Sequence, residues 1–368
     1  MPMPRRPPRS RVSRLHHRDA DSKVRLRPRI KKVKLMPTLE VMISAARRAV
    51  AETCAVARQV QQAVGEVRQM TKDDYSPVTV ADFAVQALIA LRLREQLGEL
   101  VLVGEETAAD LGTERSRPLR DAVVAAVCQV RPGLTSSQVM TAIDLGNHDA
   151  TAEAYWTLDP IDGTKGFLRG GQYAICLGYI ERGVVVLGVL GCPNLGPEFA
   201  RPFDQPAAEG SLFFARRGNG AFYVPAAEPN ATPVAIQVAR HGDVTAMRVC
   251  ESVEAAHSRL DETQRVVAHL RAKGAPARLD SQCKYAVVAR GQADAYIRLP
   301  TRADYVEKIW DHAAGALVAI EAGALVSDID GKALDFSHGA TLKQNRGVVC
   351  ATPAFHGPIL EAIDALYG

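Results

Sequence analysis

The sequence predicts a layered α/β protein of two packed subdomains, and three observations carry that prediction. At 368 residues the chain exceeds the usual size of a single domain. Its hydrophobic fraction of 47% is ample for a core. Short apolar runs bounded by turn residues are interleaved with longer amphipathic stretches, which reads as strands alternating with helices.

Taken in order, Thr38 caps a long amphipathic helix reaching about residue 70, with Ile43, Ala46, Val50, Cys54 and Ala57 on one stripe. A second helix occupies residues 83–97, and residues 100–103 form a buried strand. Residues 120–130 read as another helix, followed by a polar connection over 135–147. A strand then ends at Leu158. Residues 173–180 and 184–190 form a hairpin joined at Glu181-Arg182-Gly183, and residues 211–214 pair with 221–224 across Gly218-Asn219-Gly220. The prolines at 225, 229 and 233 suggest the subdomain boundary, which gives residues 38–225 and 226–368 as the two halves. Near the end, an alanine-rich helix opens at Asp311 and stops at about Gly323. There is no internal repeat.

Acidic groups stand at the ends of three of these elements. Trp156-Thr157-Leu158-Asp159-Pro160-Ile161-Asp162-Gly163-Thr164 places two carboxylates three residues apart around a proline. Proline disfavours a helical Asp159, and Gly163 permits a sharp turn, so both carboxylates and the Ile161 carbonyl can converge on one point. Hard oxygen ligands of this kind suit Mg²⁺. An ordinary Asp-Pro-x-Asp-Gly turn would read the same way. Residues 100–103 run directly into Gly104-Glu105-Glu106-Thr107, and Asp311 opens the late helix. Each has a bland explanation, solvated residues after a strand in one case and an N-cap in the other. The three together point to a shared site.

Asp159-Pro160-Ile161-Asp162-Gly163-Thr164 with Trp310-Asp311-His312-Ala313-Ala314-Gly315 resembles the paired signature of the inositol monophosphatase superfamily, the lithium-sensitive, Mg²⁺-dependent phosphatases. Within it, Ser76-Pro77-Val78-Thr79-Val80-Ala81-Asp82, Thr164-Lys165-Gly166-Phe167-Leu168-Arg169, Val189-Leu190-Gly191-Cys192-Pro193-Asn194, Asp280-Ser281-Gln282-Cys283-Lys284-Tyr285 and Glu307-Lys308-Ile309-Trp310-Asp311 resemble the 3′(2′),5′-bisphosphate nucleotidase branch. The likeness runs from about Leu39 to the C-terminus. In that branch the connection before the tryptophan is usually glycine-rich, whereas residues 148–154 are not.

The resemblance implies an αβαβα sandwich holding two or three Mg²⁺ ions. Glu105, Asp159, Asp162, Asp311 and the Ile161 carbonyl are then the metal ligands, and Asp82 with Thr164 orients the attacking water. Glu106 holds a third ion or supports the first. The backbone amides of Gly163 and Thr164, at a turn leading into a helix, offer a seat for the scissile phosphate. The resemblance maps nucleotide binding onto Glu254, His257, Ser281 and Lys284, and Arg298 adds a cation at the end of an apolar run. By pattern alone Glu254, His257 and Lys284 would read as solvent-facing. The expected reaction is hydrolysis of the 3′-phosphate of adenosine 3′,5′-bisphosphate. An inositol phosphate phosphatase is the near alternative, and a phosphonucleotide sensor without turnover is the distant one.

Charge is divided unevenly. Residues 1–36 contain 13 Lys or Arg against Asp19 and Asp21, about +11, which leaves 32 basic and 39 acidic residues, about −7, in the remainder. Residues 1–37, with Pro2, Pro4, Pro7 and Pro8 among arginines, read as a disordered basic leader without the apolar core of a secretory signal. The leader reads as a polyanion-binding arm, as sequence upstream of a start at Met36, or as an organelle presequence. The body shows no basic face for specific nucleic-acid binding. Seven cysteines lacking zinc spacing fit a reduced cytoplasmic protein, and no apolar run is long enough to span a membrane. The chain is expected to be a monomer with a small nucleotide as its partner.

Overall fold

Strands buried on both faces need helices on both sides, and that requirement organises this molecule. The computed structural model describes residues 1, 3, 37–67, 77–253, 260–300, 302 and 304–368. Helices α1 (Leu39–Val67) and α2 (Pro77–Leu97) pack together, and β1 (Leu102–Gly104) follows. Helices α3 (Arg117–Val130) and α4 (Ser136–Asp144) then lead to β2 (Ala154–Asp162), and the short α5 (Thr164–Leu168) connects to β3 (Ala174–Glu181). Strands β4 (Val184–Cys192), β5 (Ser211–Arg216), β6 (Ala221–Pro225) and β7 (Val234–Ile236) complete the first sheet. Its strands are hydrogen-bonded in chain order, β1 parallel to β2 and the rest antiparallel.

The second sheet interleaves with helices: β8 (Val249–Glu251), α6 (Leu260–His269), β9 (Ala277–Arg278), α7 (Cys283–Ala289), β10 (Ala295–Arg298), α8 (Ala313–Glu321), β11 (Leu325–Ser327), β12 (Val348–Ala351) and α9 (Pro353–Tyr367). Its order is β11-β12-β10-β8-β9, with β9, β8 and β10 mutually parallel. Their carboxyl ends, near Arg278, Glu251 and Arg298, therefore lie along one edge, where open α/β sheets bind ligands.

Alternation along each strand sorts the core into layers. Ile175, Leu177, Leu187, Val189, Leu212 and Phe214 join α1 and α2 in one apolar cluster. Cys176, Leu190 and Phe213 join Val287 of α7, Leu317 of α8 and Tyr296 and Cys350 of the second sheet in another. Ala295, Ile297 and Val349 pack with Val266 of α6 and Phe355 and Ile359 of α9. The sequence of layers is thus helix, sheet, helix, sheet, helix, the expected αβαβα sandwich, and residues 37–368 form one compact unit.

Several local expectations need correction. Residues 135–147 are not a polar connection, because Thr135 and Gln138 form a complete capping box that starts α4. Helix α2 begins at Pro77, six residues before residue 83, which puts Asp82 inside the helix. Strand β7 pairs with β6, so the first sheet takes its last strand from beyond residue 225. Residues 2, 4–36 and 68–76, and with them nearly all of the leader, lie outside the described residues.

Candidate active site

The two aspartates of the Asp-Pro-Ile-Asp run share one face of the sheet because β2 is bulged between them. In a regular strand, residues three apart point to opposite faces. Here Asp159 pairs with Cys176 and Asp162 with Ala174, so three steps along β2 oppose two along β3. Pro160, which has no N–H to place in the ladder, sits in that bulge. Leu158 and Ile161 remain on the side of α1 and α2, in their cluster, while the partners Cys176 and Ala174 belong to the cluster of α7 and α8. Strand β2 therefore runs on to Asp162 instead of ending at Leu158.

Glu105 comes to the same place by parallel pairing. Gly104 stands opposite Leu158, so the next residue on each strand is Glu105 beside Asp159. Asp82, buried on α2, faces Glu105 and Glu106 electrostatically. The turn after β1 is held by Gln86, one turn beyond Asp82 on α2. Its Nε2 donates to the Glu106 carbonyl at 2.6 Å and its Oε1 accepts from the Glu106 N–H at 3.1 Å.

Asp311 arrives from the other half of the chain. Helix α8 begins at Ala313 with His312 at the cap position and no side-chain cap bond, which leaves the Asp311 carboxylate free of the capping role. Its turn is braced on two sides. Gln282 donates from Nε2 to the Trp310 carbonyl at 2.8 Å and accepts from Gly315 N–H at 2.9 Å, while its own backbone N–H donates to Asp162 at 2.5 Å. Behind it, buried His312 meets the Tyr285 hydroxyl at 2.8 Å and Glu307 at 3.2 Å. Glu307, Asp311 and His312 bring their donor atoms within 4.8 Å of one another, the one such trio among the described residues. Two of its members are already engaged, because Glu307 accepts from Arg298 at 2.9 Å and His312 from or to Tyr285.

One cavity of about 240 Å³ collects most of the expected residues: Asp162, Gly163, Thr164, Ser281, Lys284, Arg298 and Asp311 all line it. Glu105, Asp159, Ile161 and Asp82 are not part of its wall, although Glu105 and Asp159 repel Asp162 and Asp311 at it. Gly163, the residue before α5, adopts φ 86°, and a Cβ there would stand 2.8 Å from Ser281 Cβ, so the turn requires glycine. Ser281 itself has φ 69°, and its hydroxyl accepts from Cys283 N–H at 3.1 Å. Lys284 is buried over the Tyr296 ring, 5.3 Å from its centroid. Arg298 differs from expectation: its guanidinium pairs with Glu307 and lies 3.7 Å from Asp311, so its charge serves the protein as much as any ligand. Thr164 is exposed, and no hydrogen bond joins it to Asp82. Glu254 and His257 lie outside the described residues.

The chemistry of this donor set fits a divalent cation. Asp159 Oδ1 is buried without any hydrogen-bond donor, a costly state for a carboxylate unless a cation takes the place of the donor. Burial and mutual repulsion raise every carboxyl group around it. Burial, Glu106, Asp311 and Asp162 push Glu105 up to about 7, and burial with Asp110 does the same for Glu106. Burial and Asp311 push Asp162 up to about 6, opposed by the Gln282 N–H. Asp82 and Asp159 stand well above the usual carboxylate range, chiefly through burial. Asp311 is raised by burial against the pull of His312 and Arg298. All the donors are oxygens, the ligand type Mg²⁺ prefers.

A sequence profile of the inositol monophosphatase family matches residues 34–366. The chain belongs to the inositol monophosphatase family. It is 39% identical over 337 residues to the 3′(2′),5′-bisphosphate nucleotidase of Schizosaccharomyces pombe, covering 89% of this chain and 95% of that protein. It is 40% identical over 314 residues to the enzyme of the same name from Emericella nidulans, covering 80% and 89%. With 3′,5′-bisphosphate nucleotidase 2 of Arabidopsis thaliana it shares 36% over 338 residues, covering 88% and 96%. Among solved structures, Mycobacterium tuberculosis SuhB superposes with a TM-score of 0.56 at 21% identity, covering 89% of this chain and 97% of that one. CysQ of Bacteroides thetaiotaomicron gives 0.55 at 21%, covering 85% and 97%. At these identities the structural likeness speaks to the inositol monophosphatase fold.

Residue patterns did not single out Gln86, Gln282, Glu307 or His312, although three of them sit inside the family motifs. Gln86 is fully buried on α2, and its partners lie 20 and 57 residues away. A glutamine in a helix carries no local sign of such bonds. The Glu307-to-His312 spacing places both on one side of the Asp311 turn, a signal that could have been read.

Proposed function

We propose that this chain is a Mg²⁺-dependent 3′(2′),5′-bisphosphate nucleotidase that converts adenosine 3′,5′-bisphosphate and water to AMP and inorganic phosphate. One observation carries the reading: a single cavity has Asp162 and Asp311 at its wall together with the buried cation of Lys284. That pairing offers a cation-holding end for the phosphate that leaves and a positive charge for a phosphate that stays. The names and identities of the curated relatives support the same substrate class.

Glu105, Asp159, Asp162, Asp311 and the Ile161 carbonyl would hold the ions. When bound, Mg²⁺ neutralises phosphate charge and acidifies water. Asp82 and Thr164 orient the attacking water, the Asp82 carboxylate takes up its proton, and Gly163 and Thr164 seat the phosphate through backbone N–H groups. The water oxygen bonds to phosphorus, the bond from phosphorus to the 3′-oxygen breaks, and that oxygen takes a proton from solvent water while Asp82 returns its own to solvent. Ser281 and Lys284 hold the 5′-phosphate, and Glu254 and His257 meet the base or ribose. The working form is a cytoplasmic monomer. Seven unpaired cysteines fit a reducing compartment, and no helix among the described residues is long and apolar enough to cross a membrane.

Phosphate release from adenosine 3′,5′-bisphosphate and from inositol 1-phosphate, with and without Mg²⁺, tests the reading. Release should favour the nucleotide, need Mg²⁺, be inhibited by Li⁺, and fall by about a thousandfold or more in Asp162→Asn. Preference for the inositol ester would overturn the specificity. Nucleotide binding without Mg²⁺-dependent release would make the protein a sensor.

A further inference from the structure

We infer that Gln86 is the positioning residue that holds the Glu105-Glu106 turn opposite Asp82 and thereby sets the affinity of the site for divalent cations. The inference rests on the metal-dependent reading above but not on the identity of the substrate. Gln86 is fully buried, and its amide is used on both sides. Toward the site it pairs with both backbone groups of Glu106, accepting its N–H at 3.1 Å and donating to its carbonyl at 2.6 Å. This is the two-bond pattern of a neighbouring strand, supplied by a side chain where β1 has ended. On its other flank the same Nε2 donates to the Ile143 carbonyl at 3.0 Å, at the end of α4.

The surroundings are shaped to this amide. A Cβ on Gly104 would lie 2.3 Å from Gln86 Oε1, and one on Gly146 would lie 2.6 Å from Nε2. The turn is further tied by Ala108 N–H donating to Asp144 at 3.0 Å and Gly104 N–H donating to the Gly146 carbonyl at 2.8 Å. Asp82 precedes Gln86 by four residues on α2, so both project from one face of the helix. The helix that carries Asp82 therefore also grips the acidic turn facing it. Carboxylates that repel one another cannot stay gathered on their own charge, and the backbone beneath Glu105 needs an uncharged anchor. Gln86 provides one that adds no charge to the site.

Gln86→Met keeps the volume and removes all three hydrogen bonds. Gly146→Ala leaves Gln86 in place and displaces its amide. Ile359→Val, in the apolar cluster that joins α6 and α9 to the second sheet, serves as a destabilised control outside the site. Metal-stripped full-length proteins are titrated with Mn²⁺ by calorimetry, and phosphate release is followed as Mg²⁺ is varied. The Mn²⁺ dissociation constant and the Mg²⁺ half-saturation point should rise about tenfold or more in Gln86→Met and in Gly146→Ala, as for residues that orient metal ligands. The substrate KM at saturating Mg²⁺ should move less than about threefold, and the control should show neither change. If Gln86→Met does not fold, Gly146→Ala decides. Metal affinity within about twofold of wild type in the folded variants overturns the inference, since losing a residue that orients a metal ligand costs more than that. Wild-type protein that binds no Mn²⁺ overturns the functional reading itself, and the inference with it.

Discussion

Lys284 is the residue on which substrate choice turns. Burial lowers its pKa against the pull of Asp280 and Asp162, and its ammonium lies over the Tyr296 ring, so the folded protein carries this cation at a cost. A phosphate in the cavity would repay it. Lys284→Met should raise the KM for adenosine 3′,5′-bisphosphate by roughly tenfold or more while leaving a simple aryl phosphate within about twofold, because a charge-assisted hydrogen bond is worth about 1.5–3 kcal/mol. The variant should be at least as stable as wild type in urea, since no ion pair is broken. Equal effects on both substrates would remove Lys284 from recognition. That a lysine in the middle of Gln282-Cys283-Lys284-Tyr285 would be buried could not be read from its neighbours. Its burial follows from where α7 lies between the two sheets.

Helix α8 shows how an element reaches the site from a distance. It lies so close to the first sheet that a Cβ on Gly188 of β4 would stand 2.8 Å from the Ala314 carbonyl oxygen. At its other end Glu321 accepts three backbone N–H bonds from the turn between β5 and β6, at 2.8, 3.1 and 2.9 Å from Gly218, Asn219 and Gly220. Gly188→Ala should therefore push on backbone that cannot yield, lowering stability by about 1–3 kcal/mol in urea unfolding and weakening turnover through the Asp311 turn. A variant as stable and active as wild type would show that the helix can shift. The helix itself was legible in the alanine-rich run after Asp311. Its tether was not, because the hairpin turn is about a hundred residues away in sequence and charged side chains of this kind are usually solvated. Helix α4 was missed, because its polar surface reads as a connection, although Thr135 and Gln138 carry the capping box that starts it.

For the whole molecule, the gathering of carboxyl groups links folding to pH and to cations. Glu105 and Glu106 are pushed up to about 7 and Asp162 to about 6, against roughly 4 for such groups in an unfolded chain. A group raised on folding binds its proton more tightly in the native state. Its stabilising contribution is full below the unfolded value and is lost as pH climbs through the folded one. Metal-free protein should therefore lose stability between about pH 4.5 and 7, and added Mg²⁺ should raise the melting temperature more at about pH 8 than at about pH 5.5. Calorimetry of chelator-stripped protein at both pH values measures this, and a Mg²⁺ gain independent of pH would sever the link. The acidic runs announced this cluster in the sequence, and the layered fold followed from alternating strands and helices. What could not be read was register: β1 beside β2, and the bulge within β2, depend on partners that only the assembled sheet supplies.

That bulge makes the gap between Asp159 and Asp162 a matter of parity. A polypeptide that kept this spacing but lost the bulge would keep both carboxylates and still turn one of them into the greasy underside against α1 and α2. Changes in length can be absorbed at the hairpin tips, but across those four positions residue count and bulge have to stay matched.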